Sequence, residues 1–198
     1  MAHTNYKNLG MVVKEYHLKV TNEYFLVDIP FVPATEWLKE EIKFAFEQGL
    51  YRVSEIAIGE QLIYPVLKEV WKSHFLKDYL LWSHTAFIVN ATLSGTPDYI
   101  LAKRTDYDNA AVGIPVLVMI EAKKDNFEEG WGQCAAEMVA SQQANESTNT
   151  KVHGIVSNGE KWEFAYLQDS VFTKNIAFID ILDTDRLYSA IHAILAQQ

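Results

Sequence analysis

The sequence feature that most constrains the fold is an uninterrupted apolar run, Val116–Ile120, which leads directly into Glu121-Ala122-Lys123. A strand exposed on one face alternates apolar and polar residues, whereas a strand covered on both faces is apolar throughout. The run therefore predicts a central strand with packed layers on both sides. Because side chains alternate between the two faces of a strand, Glu121 and Lys123 are expected on one face and Ala122 on the other.

The segments around this strand predict an α/β protein. Helical spacing of apolar residues alternates along the chain with short apolar runs that end in turn residues. The expected helices are 34–50, 54–75 with a kink or break at Pro65, 128–144 and 183–198. The expected strands are one or two within 16–30 that turn near Thr21-Asn22, then 81–89, 97–104 and 115–124, and a hairpin over 151–168 with its turn at Asn158-Gly159. The order of helix, three strands, helix and two strands predicts one mixed sheet.

Composition limits the function classes. The chain has 198 residues, which favours one domain over 1–198, and its single cysteine, Cys134, excludes an internal disulfide. Its formal charge of −9 argues against broad adhesion to nucleic acid. The longest strongly apolar run, Ile114–Ile120, is far shorter than the roughly 20 residues of a membrane span. The expectation is a cytoplasmic protein that does not enter a membrane.

Two carboxylates and one lysine are the strongest candidates for chemistry. Asp98 follows Pro97 at the start of one predicted strand, and Glu121 and Lys123 end the next. If the two strands pair, the carboxylates meet at one end of an apolar sheet, where a cation such as Mg²⁺ would offset their repulsion. The same triplet pattern also occurs at Glu41-Ile42-Lys43, on a predicted amphipathic helix. On spacing alone, a turn aspartate with an exposed glutamate and lysine is an equally good interpretation.

Pro97-Asp98, then 22 intervening residues and Glu121-Ala122-Lys123, resembles the signature of the PD-(D/E)XK nuclease superfamily. Residues 54–166 also resemble that family's core in their order of helix, three strands, helix and strand, and two segments are similar to type I restriction subunits. These are "SEIAIGEQLIYPVL", which resembles the first core helix, and "GIVSNGEKWEF", which resembles the strand and hairpin after the second helix. The resemblance implies a restriction-endonuclease-like fold, with a three-layer α-β-α core and a central mixed sheet. Residues 1–50 would then be an N-terminal elaboration and 183–198 a C-terminal helix.

The resemblance also implies roles for individual residues. Asp98, Glu121 and the Ala122 carbonyl would hold Mg²⁺, with Mn²⁺ able to substitute, and Lys123 would be the catalytic lysine. Glu55 matches the acid of the first core helix, and Glu60, five residues later, is its alternative. Gln133 matches a glutamine at the start of the second core helix. Glu137, four residues on, stands where the family often has a tyrosine, which departs from the pattern.

The resemblance therefore implies a metal-dependent nuclease that hydrolyses DNA phosphodiester bonds with a metal-activated water, in restriction, defence or DNA processing. DNA is the expected partner, and whether the chain acts alone or as a homodimer stays open. One alternative is a catalytically inactive protein of the same fold that binds nucleic acid or a protein. Another is a small acidic interaction domain.

Residues that could contact DNA are scattered along the sequence. The tryptophans and tyrosines are interpreted mostly as core residues, although Trp131, near the predicted site, could stack on a base. The six histidines have no metal-binding spacing and are interpreted as structural or exposed. The basic residues that could contact phosphate are Lys103, Arg104, Lys123, Lys124, Lys151 and Lys161. Sequence alone does not show whether these basic residues cluster.

Overall fold

The computed structural model describes residues 5–106 and 108–197 and contains helices and strands throughout. The helices are α1 (Leu9–Glu15), α2 (Glu36–Gln48), α3 (consecutive segments Glu55–Ile58, Gly59–Ile63, Tyr64–Val70 and Trp71–Phe75), α4 (Phe127–Ala144) and α5 (Thr184–Ala196), with short 3-10 turns at Leu50–Val53 and Asp108–Ala110. The strands are β1 (Lys19–Glu23), β2 (Tyr79–Ser83), β3 (Phe87–Ile88), β4 (Ser94–Gly95), β5 (Tyr99–Lys103), β6 (Val116–Ala122), β7 (Val152–Ser157), β8 (Lys161–Gln168), β9 (Val171–Asn175) and β10 (Ile179–Asp180). The chain is a mixed α/β protein, as the sequence predicts.

One mixed sheet of eight strands organises the molecule. Its order is β1-β9-β8-β7-β6-β5-β2, with β10 paired to β8, while β3 and β4 form a separate small hairpin. β6 and β7 are parallel, and α4 supplies the long connection that parallel neighbours require. All seven residues of β6 are buried, which confirms the prediction of a central strand covered on both faces.

Helices cover both faces of this sheet. On one face, Leu62 of α3 and Ile191 of α5 belong to the same apolar cluster as Ile120 of β6. On the other face, Met119 of β6 clusters with Cys134 and neighbouring residues of α4. Side chains from β6 therefore contribute to both packed layers. In the part of the chain that the structure describes, no helix has the length and apolar character needed to cross a membrane.

Helix α3 accommodates Pro65 without a break. Two of its four segments, Gly59–Ile63 and Trp71–Phe75, have wider π-helical turns. Pro65 follows the first of them, near the start of the α-helical segment Tyr64–Val70, where the missing proline N–H costs little. The predicted kink or pair of short helices is thus one helix with a local change of pitch.

The N-terminal strand prediction is wrong in detail. Thr21 and Asn22 do not form a turn but lie inside β1, which pairs in parallel with β9. The Thr21 and Thr173 hydroxyl oxygens lie 2.9 Å apart across this pair. A partner about 150 residues away supplies the hydrogen bonds, and local sequence patterns cannot reveal it. The 151–168 hairpin is confirmed, with Gly159 at a φ of +87° in its turn.

His153, in β7, is an ionisable group buried in the sheet. It is 1% exposed, and both ring nitrogens lack a hydrogen-bond partner among the described residues. Its ring packs beside those of Phe25 and Tyr166, at centroid distances of 6.4 and 6.1 Å. Burial, with a smaller effect from Lys151, lowers the pKa of His153 to about 3. The folded protein therefore holds this imidazole neutral.

We expect His153 to make the protein sensitive to acid. An unfolded histidine binds a proton below about pH 6.5, whereas the folded one does not until about pH 3. Stability should therefore fall as the pH drops through this window, by up to about 1.4 kcal/mol per pH unit. Urea unfolding of the wild type and His153→Leu between pH 7 and pH 4 measures this effect. The variant should lose the component of the slope due to His153.

The matched control is His17→Asn. His17 is exposed and has a φ of +53°, a backbone conformation that asparagine tolerates. This variant also loses one imidazole but should keep the pH dependence of the wild type. Equal slopes for the wild type and His153→Leu would contradict the assignment.

Candidate functional site

The site begins with the antiparallel pairing of β5 and β6. Tyr99 pairs with Ile120, so Asp98, immediately before β5, lies across from Glu121. The Ala122 amide N–H donates a hydrogen bond of 2.7 Å to Asp98 Oδ2. This contact fixes the Asp98 carboxylate against the end of β6. The prediction that these two strands are neighbours is therefore correct.

Glu121 and Lys123 lie beside each other at the same end of the sheet. Lys123 Nζ is 3.5 Å from Glu121 Oε2, and the two side chains are only 15% and 6% exposed. Ala122 belongs to the apolar cluster on the opposite face, as side-chain alternation predicts. The Lys123 N–H also donates to the Ser157 carbonyl at 2.8 Å, which extends the pairing with β7 past the end of β6.

Helix α3 brings Glu55 to this group. Ser54 caps the helix, its hydroxyl accepting from the Ala57 N–H at 3.1 Å, so Glu55 lies in the first turn. Glu55 Oε1 accepts a hydrogen bond of 3.2 Å from the N–H of Lys124, the residue directly after Glu121-Ala122-Lys123. Glu60 instead is exposed and lines a separate cleft beside Pro65. Of the two predicted alternatives, Glu55 is the one that contacts the end of β6.

A glycine allows α3 to lie this close to β5. A Cβ at Gly59 would lie 2.7 Å from the Tyr99 hydroxyl oxygen, so a larger residue would push the helix and strand apart. Tyr99 also stacks on Tyr64 of the same helix, with ring centroids 5.9 Å apart. These contacts place the start of α3 at the end of the sheet where Asp98 lies.

Helix α4 contributes Glu137, which the sequence analysis noted only as a departure from the family pattern. Glu137 is 2% exposed and shares a side-chain hydrogen bond with Glu121. Burial raises the pKa of Glu121, and the charge and hydrogen bond of Glu137 raise it further. Burial also raises the pKa of Glu137, to about 8, although the hydrogen bond to Glu121 partly offsets this rise, so the pair holds a shared proton at neutral pH. Gln133 is buried one helical turn earlier on α4. It therefore accompanies Glu137 in the layer that covers Glu121.

Burial and charge also shift the pKa values of Asp98 and Lys123. Burial raises the pKa of Asp98 despite the hydrogen bond from Ala122 and the nearby Lys123. Burial would lower the pKa of Lys123, but Glu121, Glu55 and Asp98 outweigh it and raise that pKa above its ordinary value. The lysine is therefore a permanent cation at neutral pH.

His84 is a further neighbour that sequence reasoning missed. Its Nδ1 lies 3.5 Å from Asp98 Oδ1, and its backbone N–H donates to the Asp98 carbonyl at 2.9 Å. A lone histidine in a loop carries no spacing signal, because its contact with Asp98 depends on the path of the chain between β2 and β3.

The four carboxyl groups of this cluster are Glu55, Asp98, Glu121 and Glu137, and the lysine among them is Lys123. Within residues 5–106 and 108–197, no group of three or more His, Cys, Asp or Glu side chains is spaced as a ready metal-binding set. The chemistry of the donors nevertheless suits a hard divalent cation, since oxygen ligands and excess negative charge are what Mg²⁺ requires. Asp98 and Glu121 are the residues that could hold it.

The predicted DNA contacts divide between the two ends of the sheet. Lys123 and Lys124 follow the end of β6. Lys161 lies at the same end of the sheet, because β7 runs parallel to β6 and Lys161 begins β8 directly after the β7–β8 turn. The other three residues lie at the opposite end: Lys103 ends β5, Arg104 follows it, and Lys151 precedes β7. Trp131 is 3% exposed, so its predicted stacking on a base is wrong. Its indole N–H donates to Glu163 instead.

Comparison with known proteins adds no family assignment. A scan against protein-family models gave no match, and a search of curated proteins gave none either. The residues of this site are therefore the basis for inferring a function.

The Glu121–Glu137 pair should make stability depend on pH. The folded pair holds a proton that the unfolded chain releases above about pH 4.5, so this stabilisation is present at low pH and is lost as the pH rises. Glu137→Gln should keep a hydrogen bond to Glu121 and remove the shared proton. We therefore expect the difference in the free energy of unfolding between variant and wild type to favour the variant by about 1–2 kcal/mol more at pH 9 than at pH 5.

Urea unfolding at both pH values measures this gain. Glu41→Gln is the control, because Glu41 is an exposed carboxylate in the middle of α2. A Glu137→Gln variant whose stability relative to the wild type stays constant from pH 5 to pH 9 would contradict the shared proton.

Proposed function

We propose that the protein is a metal-dependent nuclease of the PD-(D/E)XK type that hydrolyses DNA phosphodiester bonds. The observation that carries the proposal is the position of Asp98 across from Glu121, with Lys123 3.5 Å from Glu121 at the same end of the sheet. The order α3, β2, β5, β6, α4 and β7 supports it, because this order resembles the core of that superfamily.

The carboxylates in the proposal act as ligands. Asp98 is oriented by the Ala122 N–H, and Glu121 is held between Lys123 and Glu137. A divalent cation between Asp98 and Glu121 would supply a water of lowered pKa and would offset the negative charge of the phosphate. Glu55 is exposed, and its bond to the Lys124 N–H orders the segment that follows β6.

Lys123 in the proposal acts through its charge. Its raised pKa means that the ammonium does not release a proton near neutral pH, so it is not a general base. It can donate a hydrogen bond to a phosphate oxygen as negative charge develops there, because an ammonium has three donors and its contact with Glu121 needs one of them.

One observation favours a second function, in which the same fold binds nucleic acid without cleaving it. Glu137 occupies the position where the resembling family often has a tyrosine, and its carboxyl group bonds Glu121. A cation at Asp98 would compete with Glu137 for Glu121. If the Glu121–Glu137 bond is the stronger one, the site holds no cation and does not hydrolyse DNA.

We expect the purified protein to nick or degrade DNA with Mg²⁺ or Mn²⁺, and EDTA to abolish this activity. Lys123→Ala should reduce the rate about 100-fold or more, because it removes a charge-stabilising donor, while most of the cation affinity remains. Gel assays of cleavage and titration calorimetry of cation binding measure the two effects separately.

The matched control is Lys43→Ala. Lys43 belongs to the second triplet of the same pattern, Glu41-Ile42-Lys43, which lies on α2 and is exposed. This variant should cleave at the wild-type rate. If neither metal supports cleavage of single-stranded, duplex or branched DNA or of RNA, the non-catalytic function is the correct one.

A further inference from the structure

A cleft of about 510 Å³ opens on the α4 face of the sheet, between β8, β9 and the segment that follows β9. We call it the lysine cleft. The side chains that line it are Asn22, Lys161, Glu163, Lys174, Asn175, Ile176 and Phe178. It thus combines cationic groups with apolar side chains, of which Ile176 and Phe178 are 51% and 52% exposed.

A single carboxylate holds both lysines of the cleft. Glu163 accepts from Lys161 and from Lys174, the latter at 2.7 Å, and from the Trp131 indole N–H at 2.7 Å. Burial alone would raise the pKa of Glu163, but Lys161, Lys174 and Trp131 outweigh it and lower that pKa. Glu163 therefore stays ionised, and the three charged groups sum to one positive charge.

Aromatic rings further restrict the two ammonium groups. Lys161 Nζ lies 4.7 Å from the centre of the Phe127 ring and 5.0 Å from that of Phe178. Lys174 Nζ lies 5.0 Å from the centre of the Trp131 ring. An ammonium group has three donors, so each lysine can bond Glu163 and still donate to a second acceptor. The cleft therefore offers two pre-positioned cations in a protein whose formal charge is −9.

The cleft lies beside the candidate site on the same face of the sheet. Glu121 pairs with Val156, and Val156 pairs with Glu163, so the three side chains form a row across β6, β7 and β8. At a strand spacing of about 4.8 Å, Glu121 and Glu163 are about 10 Å apart.

We propose that the lysine cleft binds single-stranded DNA next to the phosphodiester bond that is cut, an inference that rests on the proposed function. Lys161 and Lys174 contact successive phosphates, and the exposed Phe178 ring stacks on an unpaired base. Such a combination of cationic groove and aromatic platform is how proteins hold single strands without reading sequence. A duplex has its bases already stacked, so Phe178 favours the single strand.

The test is fluorescence anisotropy with a labelled single-stranded oligonucleotide of about 15 nucleotides, in EDTA so that no cleavage occurs. Lys174→Gln should weaken binding and reduce the slope of log affinity against log salt by about 0.7, the value of one phosphate contact on a single strand. Phe178→Ala should weaken binding of the single strand about tenfold and leave duplex binding unchanged. Phe178→Ala removes one of the two rings beside Lys161 but keeps the ion pairs of Lys161 and Lys174 with Glu163.

Lys68→Gln is the control for charge. Lys68 is an exposed lysine of α3, on the opposite face of the sheet, and its Nζ also lies over an aromatic ring, that of Tyr64. This variant should bind like the wild type. Equal effects of Lys68→Gln and Lys174→Gln, or equal losses of single-strand and duplex binding in Phe178→Ala, would overturn the inference.

The outcomes also separate this inference from the proposed function. Binding that depends on Lys174, in a protein that cleaves nothing with either metal, supports the cleft and rejects the nuclease. Cleavage that depends on Lys123, with binding indifferent to Lys174 and Phe178, supports the nuclease and rejects the cleft.

Discussion

The antiparallel pairing of β5 with β6 is the constraint on which the rest of the site depends. It places Asp98 across from Glu121, and the bond from the Ala122 N–H to Asp98 holds that register at the end of the sheet. A shift of one residue would move Glu121 and Lys123 to the opposite face. There they would meet the apolar layer of α3 and α5 instead of α4. The candidate chemistry therefore follows from the same hydrogen bonds that build the core.

Accumulated negative charge is the second consequence of this pairing. Asp98 and Glu121 would repel each other in a buried setting, and Glu137 adds a third carboxyl group to the same layer. The protein relieves this repulsion with Lys123 and with the proton shared by Glu121 and Glu137. A divalent cation would relieve it further, since one ion offsets two carboxylates. In the proposed nuclease a divalent cation offsets this charge, whereas in the non-catalytic alternative the proton shared by Glu121 and Glu137 does so.

The sequence predicted the parts of this arrangement that local patterns encode. The continuous apolar run identified β6 as a central strand, and Asn158-Gly159 identified the β7–β8 turn. The parallel pairing of β1 with β9 was missed, because the two strands lie far apart in the chain. His84 and Lys174 were missed because each becomes significant only through a carboxylate on another segment of the fold. Trp131 was misassigned because its indole N–H has an internal partner, Glu163, on another strand.

Direct measurement of cation binding tests the central claim, that Asp98 and Glu121 form a site for one divalent ion. Titration calorimetry with Mn²⁺ at neutral pH would compare the wild type with Asp98→Asn, which keeps the size of the side chain and removes its charge. We expect one bound Mn²⁺ in the wild type and a Mn²⁺ affinity at least about tenfold lower in Asp98→Asn, because a carboxylate ligand is lost. Equal affinities, or no Mn²⁺ binding by a folded wild-type protein, would contradict it.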